Sequence, residues 1–237
     1  MRGRWAARQG YGVGTREREM TRALRFYSTS IGKKVVMAVT GCILFGYVAI
    51  HMLGNLQVFM GPAQLNAYAA TLKGNLALLW IARLVLLTAG LWHIVAAIQL
   101  TRQSQRSRPE GYYYKDVIQA DYASRTMRWT GPILVVFITY HVLHFTTGTV
   151  HPRFDAHDVY GNVVTGFRVL PVALFYIAAM VALGFHLWHG VWSMFQSVGL
   201  NNPRTDRFFH RFATSATVAI VVGFISIPLG ILARLIS

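Results

Sequence analysis

Five stretches of this chain, about 35–60, 76–100, 130–150, 169–196 and 212–236, are long, apolar and free of Asp and Glu. A bilayer core about 30 Å thick is crossed by roughly 20 helical residues. Hydrocarbon offers no partner for a backbone amide, so runs of this kind fold as helices whose hydrogen bonds close within the segment. The composition agrees, with 54% hydrophobic and only 13% charged residues, too apolar for an ordinary soluble domain. The expected fold class is an all-α integral membrane protein with five transmembrane helices. Residues 1–34 are read as a basic cytoplasmic N-terminal segment and 35–237 as one five-helix transmembrane domain. Turn residues punctuate the connections: Gly61-Pro62, Arg108-Pro109-Glu110-Gly111, His151-Pro152 and Asn201-Asn202-Pro203. Pro132 and Pro171 fall near span starts, where a missing amide costs little, while Pro228 is internal and is expected to kink the fifth helix. No small-residue cleavage site follows the first apolar run, so it is read as a retained span.

The formal charge of +15 would suit a nucleic-acid partner only if the cations shared a water-facing surface. They do not. Eighteen of the 23 Lys and Arg lie before residue 35, in 101–128 and in 201–211; the others are Lys73, Arg83, Arg153, Arg168 and Arg234. Cations are retained on the cytoplasmic side, which places the N terminus inside and the C terminus outside, with either a docked soluble protein or anionic lipid headgroups as partner of the basic segments. The single cysteine, Cys42, excludes an internal disulfide, a cysteine-held iron–sulfur cluster and covalent c-type haem attachment.

Histidine marks the first four spans: His51; His93; His141 and His144; His186 and His189. The fifth has none. One intramembrane imidazole can simply bond a neighbouring helix, but four helices each offering one point to a cofactor in the bundle interior. Counting along helices of alternating direction sets His51 and the third-span histidines roughly 20–25 Å from the cytoplasmic edge, and His93 and His186 roughly 13–17 Å from it. Two tiers of two histidines match two six-coordinate haems, each iron held by two imidazoles. Zinc, which takes three or four ligands, fits less well. Depth alone leaves His144 slightly ahead of His141. Gly46 and Gly54 flank His51, Gly90 precedes His93, and Gly184 and Gly190 bracket His186. These glycines admit either a macrocycle or a neighbouring helix. Trp92, Trp188 and Trp192 are candidate cofactor-lining residues, whereas Trp80 and Trp129 read as interfacial anchors. His151, His157 and His210, in connections, read as solvated.

The stretches STSIGKKVVMAVTG, HMLGNLQVFMG, LNAYAATLKG, LWH, RWTGPILVVFITYHV and FHLWHGVWSMFQSVG resemble the cytochrome b subunit of succinate dehydrogenase and fumarate reductase, in its single-chain class with five spans and two haems b. The resemblance runs from Ser28 to the end. It implies His51 and His141 as ligands of the outer haem, and His93 and His186 as ligands of the inner one. His144 and His189 become second-tier residues, and each ligand is expected to donate its second ring nitrogen to a carbonyl. It further implies a quinone-reactive anchor for a flavoprotein and an iron–sulfur protein in a bacterial inner membrane. Such a subunit has no dicarboxylate site of its own, takes menaquinone as substrate, and sits in a higher oligomer of the whole complex. Some family members carry a glutamate at the position of Gly184. Polar candidates for quinone contact are Asn55, Gln57, Asn66, Tyr68 and Lys73 on the outer side and Ser30 on the inner, with helix capping as the competing explanation. The alternative functions are the dihaem cytochrome b of a hydrogenase or formate dehydrogenase, and a cofactor-free transporter.

Overall fold

A computed structural model describes residues 25–107 and 122–236; the Arg-rich leader up to residue 24 and the connection 108–121 lie outside the described residues. All regular elements in the described residues are helical. Helix α1 spans Ser30–Asn55 and tightens into a 3-10 turn over Leu56–Met60. Thr29 caps it by accepting the Gly32 amide at 3.0 Å, satisfying one of the donors a helix start leaves open. Gly61, at φ 95, then turns the chain into the short α2, Pro62–Gly74. Helix α3 covers Leu76–Arg106, capped by the Asn75 side chain on the Leu78 amide. Helix α4 covers Tyr122–Phe145, α5 Val159–Phe167, α6 Leu170–Ser197 and α7 Asp206–Leu232.

Among the described residues, four helical stretches are long and apolar enough to cross a membrane: Ser30–Met60, Leu76–Arg106, Leu170–Ser197 and Asp206–Leu232. Helix α4 has the length, but Arg128, Thr130, His141 and His144 leave it less apolar than the others. It also departs from the expected 130–150. It begins at Tyr122, and it ends at Phe145 because Gly148, at φ 73, reverses the chain. Pro132 therefore lies inside the helix and not near its start. Pro171 does occupy the first turn of α6, and Pro228 is internal to α7.

Helix α6 is the hub, packing on α4, α7 and α1, and α1 in turn packs on α3 and α7. Met52, Leu187, Val191, Ala213 and Ile220 form one buried cluster between α1, α6 and α7. A larger cluster around Phe137, Phe167, Tyr176, Met180 and Ile227 lies toward the end that carries α2 and α5, called here the cap end. Large apolar side chains face outward, Trp129 at 74% and Val136 at 65% exposure among them, the arrangement a lipid solvent favours. Gly184 lets α7 approach α6: a side chain there would meet Val221 at 3.1 Å. This is helix contact, as Gly54 is for Tyr68.

The cap end is stitched by side chains that loop solvation alone does not explain. Asn66 donates to Asp158 at 2.9 Å and accepts the Tyr160 amide at 2.9 Å, and Lys73 donates to the Ala156 carbonyl at 2.6 Å. Asp158 also caps α5 by accepting the Gly161 amide. That amide, with the Asn66 side chain beside it, holds the Asp158 carboxyl below the usual carboxylate range. A carboxyl lowered on folding stabilises above its ordinary pKa of about 4, and the contribution is lost as pH falls through the lowered value. Protease cleavage within 146–158 should therefore be flat from pH 8 to 5 and rise in acid, and Asp158→Asn should remove that rise.

Candidate functional site

The four first-choice histidines come together in two pairs. His51 on α1 faces His141 on α4 with ring centroids 5.8 Å apart and planes at 83°. His93 on α3 faces His186 on α6 at 6.2 Å and 60°. In neither pair do the two parent helices pack closely on one another: α1 packs on α3 and α6, and α4 on α6. Each pair of rings thus meets across a gap between helices held apart by a third element. Two metal–imidazole bonds of about 2 Å, each added to a ring radius, set facing ring centres on the order of 6 Å apart. The pairs have the spacing of two axial ligands on one metal ion. No group of three or more His, Cys, Asp or Glu gathers at one point among the described residues, so the donor sets are pairs.

Hydroxyl groups lie against a ring nitrogen of three of the four histidines. The Thr40 hydroxyl donates to the Val36 carbonyl at 2.7 Å, so its oxygen is left to accept from His93 Nδ1 at 3.2 Å. A neutral imidazole with its proton on Nδ1 presents the Nε2 lone pair to a metal. Thr130 Oγ1 lies 3.4 Å from His186 Nδ1, and the Tyr176 hydroxyl 3.4 Å from His141 Nδ1. The expected partners were carbonyls. His93 does also meet the Met37 backbone, but a hydroxyl stands at three of the four rings, because a hydroxyl turned onto its own helix can still accept from a neighbouring helix. Sequence reasoning missed Thr40, Thr130 and Tyr176, and no pattern distinguishes them from other hydroxyls in apolar helices. Two grooves of about 370 and 350 Å³ between α1 and α3 share Thr40 and Trp92 as lining residues and lie beside His93. Gly41 faces His93, with 3.4 Å from an added Cβ to the ring.

The remaining candidates scatter. His144 is fully buried, stacked on Tyr140 and set against His151 at 4.8 Å, away from the His51 contact that His141 makes. His189 lies edge-on to Trp192 at 6.3 Å. His151 is not solvated: it is 9% exposed, with Nε2 2.9 Å from the Asn162 carbonyl and Nδ1 accepting the Arg153 amide. The segment after α4 folds back beneath α5 and buries it. His157 is exposed, and His210 stacks on Trp192 at 4.5 Å. Trp188 and Trp192 tie α6 to α7 by donating to Thr214 and Asp206. Trp92 packs edge-on against Tyr27. Trp80 and Trp129 are exposed, the former beneath Arg83. The polar candidates do not converge. Asn55 bonds the His51 carbonyl, Gln57 accepts from Gln64, Asn66 and Lys73 fasten the cap, and Tyr68 packs over Gly54. Ser30 accepts from Gln103 at the opposite end.

Fold and site together define a multi-pass helical membrane protein with paired histidines between its helices. Residues 113–226 match the family model of the succinate dehydrogenase/fumarate reductase transmembrane subunit, and over that stretch the chain is similar to this family. The matched stretch contains His141 and His186, while His51 and His93 precede it. Neither the curated proteins nor the solved structures include a match to this chain.

Proposed function

We propose that this chain is the haem b-containing membrane anchor of a succinate:quinone oxidoreductase. In this reading it carries electrons between an iron–sulfur subunit and membrane menaquinone, and all five long helices span the bilayer. The observation that carries the reading is the pair of facing histidine couples, drawn from four helices and spaced so that each couple could hold one metal ion between its rings. Haem b, bound at each couple, supplies one-electron transfer. The chain's own residues supply the rest. His51 and His141 hold one tier, His93 and His186 the other, and the hydroxyls of Thr40, Thr130 and Tyr176 orient the rings. Dicarboxylate chemistry belongs to the flavoprotein partner. Quinone takes up two electrons and two protons to become quinol, the electrons coming from the iron–sulfur side. The N terminus lies in the cytoplasm of a bacterial cell, and the basic segments near it face the soluble subunits.

The family match supports this reading over a hydrogenase or formate dehydrogenase cytochrome. Pyridine haemochrome quantitation of the purified protein tests it. Two haems b per chain are expected, and a folded, inserted chain that binds none when protohaem is supplied overturns it.

A further inference from the structure

Past the Tyr176 hydroxyl, the hydrogen-bonded chain that starts at His141 runs on to a buried histidine that the proposed function leaves unused. His141 Nδ1 lies 3.4 Å from the Tyr176 hydroxyl, and that hydroxyl lies 3.1 Å from His144 Nδ1. His144 has no exposed surface, and its Nε2 has no hydrogen-bond partner. It cannot leave the site: Tyr140 stacks on one side, Phe145 lies at 4.1 Å, and a side chain at Gly166 would meet its ring at 2.9 Å. Next to it, His151 is a closed unit. The Arg153 amide donates to its Nδ1, so its own proton sits on Nε2 and goes to the Asn162 carbonyl.

A phenol has one hydrogen and can give it to only one of two ring nitrogens. This step rests on the proposed function: with Nε2 of His141 committed to a metal, its ring proton is on Nδ1 and must be donated to the Tyr176 oxygen. The phenol hydrogen then goes to His144 Nδ1, the shorter of the two contacts. His144 thus does for Tyr176 what the Val36 carbonyl does for Thr40: it takes the hydroxyl hydrogen and leaves the oxygen facing the ligand. We infer that Tyr176 is the positioning residue of the cap-end histidine pair, and that buried His144 is the acceptor that sets the direction of its hydroxyl.

A ligand that donates from Nδ1 is a more basic ligand and favours ferric iron. Tyr176→Phe keeps the ring and its packing and deletes only the acceptor. Redox titration of the purified holoprotein, following each haem by its low-temperature absorbance and ferric resonance, is the test. In Tyr176→Phe both haems stay bound, and the ferric-to-ferrous ratio of the cap-end haem at fixed potential falls about tenfold, an upward shift of about 59 mV, with the other haem unmoved. His144→Phe shifts the same haem in the same direction. The double variant goes no further than Tyr176→Phe alone, because both changes remove one device. An unchanged cap-end potential in Tyr176→Phe, an equal shift of both haems, or additive effects in the double variant overturns the inference. A wild-type chain without haem would instead sink the function on which it rests.

Discussion

His93→Ala should remove one of two haems b from each chain and leave the absorbance of the other largely intact. The expectation follows from the separation of the pairs: His93 shares its site only with His186, whereas His51 and His141 meet on two other helices. His189 cannot substitute, because it rises from the same helix as His186 and lies against Trp192. The cut is also local. The His93 ring touches Thr40 and Gly41 of α1 and, on α6, faces His186. Haemochrome content should fall by about half, with the lost component at one end of the spectrum and potential range. His51→Ala should give the reciprocal loss. Equal weakening of both signals in an inserted protein would refute two independent tiers.

The second large effect is all-or-none. With Cys42 replaced by Ala, a cysteine at His157 should react with an impermeant maleimide in intact cells, and a cysteine at Gln105 should react only after lysis. Both positions are exposed. His157 lies in the cap segment joining α4 to α5, while Gln105 ends α3 near the segment where Lys and Arg are concentrated. Retention of these cations on the cytoplasmic side gives the direction. Labelling of Gln105→Cys in sealed cells would invert the topology and with it the side on which the soluble partners dock.

The long helices, four of them apolar enough to span, were legible because acid-free apolar runs admit little besides helix in hydrocarbon. Their ends were less so. Helix α4 extends back to Tyr122 through polar and basic residues that no hydropathy argument would include, and the stop at Gly148 is a backbone event. Helices α2 and α5 went unread because they are short and lack a span's apolar signature. Residue type and depth limited the site to six histidines, and resemblance chose four; the meeting of His51 with His141 is a fact of packing that no spacing rule contains. His151 misled because a connection is ordinarily wet, and here it is folded under α5. The hydroxyls of Thr40, Thr130 and Tyr176 carry no sequence mark at all. They matter only through the helix opposite.

At the other end of the molecule, the described residues fasten α1 and the residues just before it to α3 without pairing opposite charges. Tyr27 donates to Gln99 at 3.0 Å, Gln103 donates to Ser30 at 2.6 Å, and the Lys33 ammonium reaches the Gln103 carbonyl oxygen at 3.5 Å. Bonds between amides and hydroxyls are not weakened by dissolved ions in the way that attractions between exposed charges are. The seam is therefore indifferent to ionic strength, so molar salt can rinse electrostatically held material from this face and leave the two helices clasped.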